Sequence, residues 1–271
     1  MSVLHRAYRL FQSEGWRALA AAVTKRLVGK FDFLYQRIKP TYKSYSVGDA
    51  SAEFNMAYRR LDQHDFVDDL RSERRLIERV LSVVDDDDVF YDIGANVGIY
   101  SCLVGTQLSS GTVVAFEPTP DAFGILQSNV ERNDIDARLF DVALTNENGT
   151  AHMSVRGQTG HELSDGDGET VDVETRRADD LVTEHGLPSP DVIKIDIEGA
   201  EYLALDGFRE TLADVPCHHL FCEIHSEKVT EIGGSAEEVE ELLRSQGFEL
   251  EYLGERRENY FVEATHPSVA K

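Results

Sequence analysis

The 271-residue sequence predicts an α/β fold: a doubly wound, Rossmann-like, mostly parallel sheet flanked by helices, behind a helical N-terminal extension. Three observations predict it. From Val89 onward, short β-rich runs alternate with helical stretches. The run Val89-Phe90-Tyr91-Asp92-Ile93-Gly94-Ala95-Asn96-Val97-Gly98-Ile99-Tyr100 reads as strand, glycine turn and helix start. A second apolar run, Thr112-Val113-Val114-Ala115-Phe116, then ends on an acid, Glu117, about 20 positions after that turn.

Taken in order, strands are expected near 89–92, 112–116, 137–143, 191–196 and 218–224, with helices near 98–108, 120–132, 200–213 and 236–246. Two further runs, 248–253 and 259–264, flank Gly254 and predict a hairpin that closes one edge of the sheet. Upstream, Pro40 and the Tyr/Ser/Gly segment 41–48 read as a linker. Residues 52–84 read as helical, with Leu70, Leu76, Ile77, Val80 and Leu81 on one side. The four aspartates 85–88 read as a solvated loop, because their spacing is not that of an EF-hand. Residues 150–182 are less regular, and 157–168 read as an exposed polar loop. Within that loop His161 alone titrates near neutrality, which makes it a candidate substrate contact. The expected division is therefore a basic arm (1–45), a helical lead-in (46–84) and a ligand-binding domain (85–265).

A chain of this length buries roughly 70% of its unfolded surface and needs no covalent staples. Cys102, Cys217 and Cys222 are odd in number and contain no Cys-x-x-Cys pair, which points away from a disulfide framework and toward a reducing cytoplasm. The net charge of −23 argues against nucleic acid as a partner and suggests a surface suited to concentrated salt. No run of about 18 apolar residues spans a membrane, and the first 30 residues lack a signal peptide. Residues 1–45 nevertheless carry nine basic side chains against two acidic ones, a net of +7, which leaves −30 for the rest. Trp16, Leu19, Val23, Leu27, Phe31, Leu34 and Ile38 form an apolar stripe on this arm at helical spacing. Two readings stay open: the stripe lies on an anionic membrane surface, or it packs on the acidic domain or a second subunit. The oligomeric state is not legible.

In a doubly wound sheet the ligand sits outside the carboxyl ends of the strands, so side chains there carry the chemistry. Gly94 and Gly98 allow a tight turn whose N–H groups face a ligand. Glu117 is placed to accept hydrogen bonds from both hydroxyls of a nucleoside ribose, and Asp141 could meet the base edge. Strand alternation places Lys194, Asp196 and Glu198 on one side of 191–198, and His219, Phe221, Glu223 and His225 on one face of 218–225. Charge at the end of a central strand requires a partner or a task. Cys222 points away from Glu223 and His225 by the same alternation, which disfavours zinc.

These words, Asp92-Ile93-Gly94-Ala95-Asn96-Val97-Gly98-Ile99-Tyr100-Ser101, Phe116-Glu117-Pro118, Lys194-Ile195-Asp196-Ile197-Glu198-Gly199-Ala200-Glu201 and Glu223-Ile224-His225, resemble in order and spacing the FkbM family of S-adenosylmethionine-dependent methyltransferases. The resemblance covers roughly 85–265 and leaves 1–80 unexplained. It implies the class I methyltransferase fold, a seven-stranded sheet with its last strand antiparallel, and an O-methyltransferase acting on hydroxyls of sugars, polyketide-like metabolites or glycans; with the basic arm, the leading expectation is a glycan or lipid-linked saccharide at the cytoplasmic membrane face. It implies S-adenosylmethionine bound by Asp92, Gly94, Asn96, Gly98 and Glu117, with Asp141 less securely at the adenine. Lys194, Asp196, Glu198, Glu223 and His225 would line the acceptor side, with Asp196 and then His225 as candidates to take the hydroxyl proton. A divalent cation held by carboxylates is compatible with these residues but not indicated by them. A nicotinamide-dependent oxidoreductase shares the glycine turn and ribose acid with a different glycine spacing, and a non-catalytic relative would share the fold alone.

Overall fold

Val, Ile, Leu and Phe dominate the runs from Val89 onward, and runs apolar on both faces become central parallel strands. The computed structural model describes residues 42–55, 70, 73–156, 160–163, 170–214, 217–256 and 259–267. The chain divides into two compact units, 1–43 with 55–74, and 44–54 with 75–271; nearly all described residues belong to the second.

That unit is built on seven strands: β3 (Val89–Ile93), β4 (Thr112–Phe116), β5 (Ala137–Phe140), β10 (Val192–Ile195), β11 (His219–Ile224), β12 (Glu249–Arg256) and β13 (Asn259–Thr265), with β1 (Tyr42–Val47), β2 (Ala50–Asn55), β6 (Val142–Leu144), β7 (Gly149–Arg156), β8 (Gly160–Leu163) and β9 (Thr170–Arg176) lying outside this sheet. Their order is β12-β13-β11-β10-β3-β4-β5. The pairs β11/β10, β10/β3, β3/β4 and β4/β5 are parallel, and β13 runs antiparallel to both β11 and β12. The predicted hairpin is thus present, with β13 inserted beside β11 and β12 at the edge. Connection order reverses between β3 and β10, so the crevice at their carboxyl ends is the switch point.

Eight described helices follow: α1 (Arg74–Leu81), α2 (Ile99–Gly105), α3 (Pro120–Arg132), α4 (Ala178–His185), α5 (Glu201–Asp206), α6 (Arg209–Asp214), α7 (Ser226–Glu231) and α8 (Ala236–Ser245). Every residue of α2 is buried. The fully buried hydroxyl of Ser101 within it therefore needs a partner, and finds one in Asp92. Ile93, Phe116, Ile193, Ile195, Leu220 and Ile224 belong to the core between sheet and helices. Full burial of each such side chain stabilises by about 1.5–3 kcal/mol.

Four expectations are corrected. Residues 42–47 are not a linker but β1 (Tyr42–Val47), which pairs with β2 (Ala50–Asn55) where helix was expected. Period-two burial, with Ala50, Ala52 and Phe54 inward, outweighed the helical spacing there. The expected strand 137–143 breaks at exposed Asp141, after which β6 (Val142–Leu144) joins a second sheet. That sheet, β6-β9-β7-β8, contains β7 (Gly149–Arg156), β8 (Gly160–Leu163) and β9 (Thr170–Arg176), so 150–182 is regular and His161 lies on a strand paired with Val155. Residues 157–159 and 164–169 of the expected loop lie outside the described residues, as does the basic arm apart from its last four residues. Finally, Asp85, Asp86 and Asp87 are exposed as expected but Asp88 is buried, accepting a 2.8 Å hydrogen bond from the Asp85 amide.

Among the described residues no helix is long and apolar enough to cross a membrane.

Candidate active site

The glycine turn leaves β3 with Gly94, Asn96 and Gly98 all at positive φ (77°, 52° and 83°). The Gly94 and Ala95 amides donate to the Phe116 carbonyl, both at 3.0 Å, which pins the turn to the end of β4. A Cβ on Gly94 would overlap the Asp196 carbonyl oxygen, and one on Gly98 would meet Leu126 Cδ1 at 2.6 Å. Glycine is required here by protein packing as well as by backbone conformation.

Beneath the turn, Asp92 is fully buried. Its Oδ2 accepts from the Ser101 amide (3.0 Å) and hydroxyl (2.6 Å), and Lys194 Nζ sits 3.3 Å from its Oδ1. Lys194, itself buried on β10, donates to the Gly94 carbonyl at 2.9 Å and lies over the Tyr100 ring. These two residues brace the turn from inside.

Glu117, at the tip of β4, is buried. One carboxylate oxygen accepts from the Asn96 amide (2.9 Å) and the other from the Thr119 amide (2.9 Å) and hydroxyl (2.5 Å). A carboxylate offers about four acceptor positions. Three are in use within the protein. Asp141 is exposed just past the end of β5, and Gly94 and Asn96 are partly exposed at the turn.

At the ends of β10 and β11 four predicted residues converge. His225 is 3% exposed, and its Nε2 lies 3.8 Å from Asp196, 3.9 Å from Glu198 and 3.8 Å from Glu223. Strand alternation explains only part of this, because β10 ends at Ile195. A turn through Glu198 (φ 58°) and Gly199 (φ 112°) brings Asp196 and Glu198 to the imidazole. Glu198 is in turn paired with Lys228, and Asn259 Nδ2 donates to Glu223 at 3.1 Å.

On the other side of the ring, Nδ1 lies 2.6 Å from Glu201 Oε1, which also accepts the Gly199 amide at 3.0 Å. Since the buried carboxylate is the acceptor, Nδ1 is the donor and Nε2 faces the carboxylates. Burial works to lower the imidazole pKa, but the Glu201 hydrogen bond and the charges of Asp196, Glu201 and Glu223 outweigh it and raise it above the ordinary value.

Glu201, Asn259, Lys228 and Thr119 were missed by sequence reasoning. Glu201 ends the run Lys194 to Glu201, and its signal was an acid at the start of a helix that packs inward. The other three are common surface residue types and carried no signal. His161 lies on β8.

A seven-stranded sheet in this order, with one antiparallel strand and a glycine turn at the switch point, defines a class I methyltransferase. Residues 92–250, more than half of the chain, match the methyltransferase FkbM domain, and the chain belongs to that family. It is 29% identical over 197 residues to the hexuronic acid methyltransferase AglP of Haloferax volcanii, covering 72% of this chain and 77% of that one. It is 27% identical over 195 residues to the 31-O-demethyl-FK506 methyltransferase FkbM of Streptomyces tacrolimicus, covering 59% and 72%. It is 31% identical over 163 residues to the 2-O-methyltransferase NoeI of Sinorhizobium fredii, covering 52% and 66%. Among solved structures, the methyltransferase FkbM of Methylobacillus flagellatus KT aligns with a TM-score of 0.47 at 17% identity, over 67% of this chain and 44% of that one. The protein is therefore a methyltransferase, and the oxidoreductase reading falls.

Proposed function

We propose that this methyltransferase transfers a methyl group from S-adenosylmethionine to a hydroxyl of a sugar, glycan or lipid-linked saccharide. The observation that carries the reading is the convergence of Asp196, Glu198, Glu223 and His225 beside the glycine turn, with Gly94 packed directly on Asp196. The names of the relatives, a hexuronic acid methyltransferase and a 2-O-methyltransferase among them, support the acceptor class.

The turn fits the cofactor: Gly94 and Asn96 are partly exposed, and Glu117 keeps one acceptor position for a ribose hydroxyl. Asp92 and Lys194 hold the turn's shape, and Asp141, exposed just past the end of β5, is the candidate to meet the adenine edge. Bound there, S-adenosylmethionine supplies an electrophilic methyl on a sulfonium. A sugar hydroxyl is a poor nucleophile, so a carboxylate must take its proton as the bond forms. Asp196, 30% exposed, is that carboxylate. The acceptor oxygen gains the methyl carbon as the carbon–sulfur bond breaks with its electron pair passing to sulfur, and the hydroxyl proton passes to Asp196. Holding donor and acceptor in line supplies several kcal/mol of the barrier. The net charge of −23 and the basic arm support action in a salty cytoplasm, at the inner membrane face.

Calorimetric titration in molar potassium chloride tests the donor: S-adenosylmethionine and its demethylated product bind, and NAD does not. Asp196→Asn keeps that affinity and loses transfer to a hexuronate-bearing acceptor. An active Asp196→Asn enzyme ends the assignment of the proton acceptor. Vesicle sedimentation of chains with and without residues 1–45 tests the membrane part, which fails if the two partition alike.

A further inference from the structure

We propose that Asp196, Glu223 and His225 form a binding site for a divalent cation, manganese being the ion whose preferences they fit best. The inference rests on the hydroxyl-methylating reading of the same crevice. One ligand atom from each residue lies within 4.8 Å of the others. Bonds of about 2.1 Å place ligand atoms roughly 3 to 4.2 Å apart around one ion, so a small contraction completes the set.

The imidazole is the decisive member. His225 is 97% buried, counting its 3% exposure, and its Nε2 has no hydrogen-bond partner among the described residues; it is aimed at carboxylates 3.8–3.9 Å away, beyond hydrogen-bond reach. Its Nδ1 is fixed by fully buried Glu201, the carboxylate–histidine pairing that orients metal-ligating imidazoles. Asn259 orients Glu223 in the same way, and Lys228 holds Glu198 at the margin.

An oxygen-rich set with one imidazole suits manganese better than magnesium, which takes oxygen alone, or zinc, which favours more nitrogen and sulfur. Three protein ligands leave positions open for oxygens of the acceptor. A cation there would polarise the hydroxyl whose proton goes to Asp196, and would favour acceptors presenting two neighbouring oxygens, as vicinal diols and uronates do.

The test is titration of the chelator-treated full-length protein with Mn²⁺ in molar potassium chloride, which screens weak surface binding, with free ion read by electron paramagnetic resonance. One saturable site is expected. Asp196→Asn and Glu223→Gln each weaken it about tenfold or more, and Glu201→Gln weakens it on the order of 10- to 100-fold. Asp191→Asn, in the separate Asp88, Asp191 and His218 grouping, leaves it unchanged. Circular dichroism confirms that each variant is folded. Absence of a saturable site, or affinity indifferent to both Asp196→Asn and Glu223→Gln, overturns the proposal. Titration with S-adenosylmethionine keeps the two readings apart. Donor binding without Mn²⁺ binding sinks the cation site alone, whereas Mn²⁺ binding without donor binding sinks the methyl-transfer reading and leaves the site.

Discussion

Gly94 and Asp196 meet backbone to backbone: the space a Cβ would need on Gly94 is filled by the Asp196 carbonyl, while the Asp196 amide donates to the Ile93 carbonyl at 3.0 Å. The glycine turn and Asp196 are therefore held together through their backbones. Gly94→Ala would push Asp196 aside, and would also strain a φ of 77°. The expected result is a loss of about 1–3 kcal/mol in stability together with S-adenosylmethionine affinity at least tenfold weaker, measured by thermal melts and calorimetry. A variant with parental affinity and activity would show that the turn and cluster are not coupled.

Glu117 gives a second prediction. Its three hydrogen bonds hold Asn96 and Thr119 in place, so truncation to alanine would confound binding with folding. Glu117→Gln keeps the volume and removes the charge. A charge-assisted hydrogen bond contributes about 1.5–3 kcal/mol, so S-adenosylmethionine should bind roughly 10- to 100-fold more weakly. Unchanged affinity would remove Glu117 from the site.

The parallel core was legible because its strands are apolar on both faces and its glycine turn must be glycine. The cluster was legible in membership but not in cause. Asp196 and Glu198 reach His225 through a turn at positive φ that no alternation rule foresees. The second sheet was obscured because Val171, Val173 and Thr175 alternate within a very polar stretch, and because β7 pairs with β9 across the polar segment 157–169, within which β8 itself lies. The burial of Asp88 was hidden because three of four identical neighbours are exposed, and only register decides which one turns inward.

Lys194 and Asp92 supply the third prediction. Both are buried, and removing one partner of such a pair leaves an uncompensated charge. Lys194→Met should cost about 3–5 kcal/mol, read from denaturant unfolding. Adding Asp92→Asn to it should recover part of the loss, because the amide still accepts from Ser101 without carrying a charge. Additive losses in the double variant would show that the pair does not interact.

Asp88 gives a prediction in pH. Burial first, then the charge of Asp191, with Asp87 adding, raises its carboxyl to about 6, and His218 and His219 pull the other way. An unfolded aspartate titrates near 3.9. The folded state thus holds the proton more tightly than the unfolded state. The stability gained from this is fully present below about pH 4 and is lost as the pH rises through about 6. Asp88→Asn is neutral at every pH and keeps an oxygen to accept the Asp85 amide. It should come close to the parent at pH 4 and exceed it by up to about 3 kcal/mol at pH 7.5, from about 1.4 kcal/mol per pH unit between about 3.9 and about 6, a Tm gain of several degrees. Calorimetric scans of both proteins in chelator at the two pH values check this, and a Tm difference that does not grow between them would place the Asp88 carboxyl in its ordinary range.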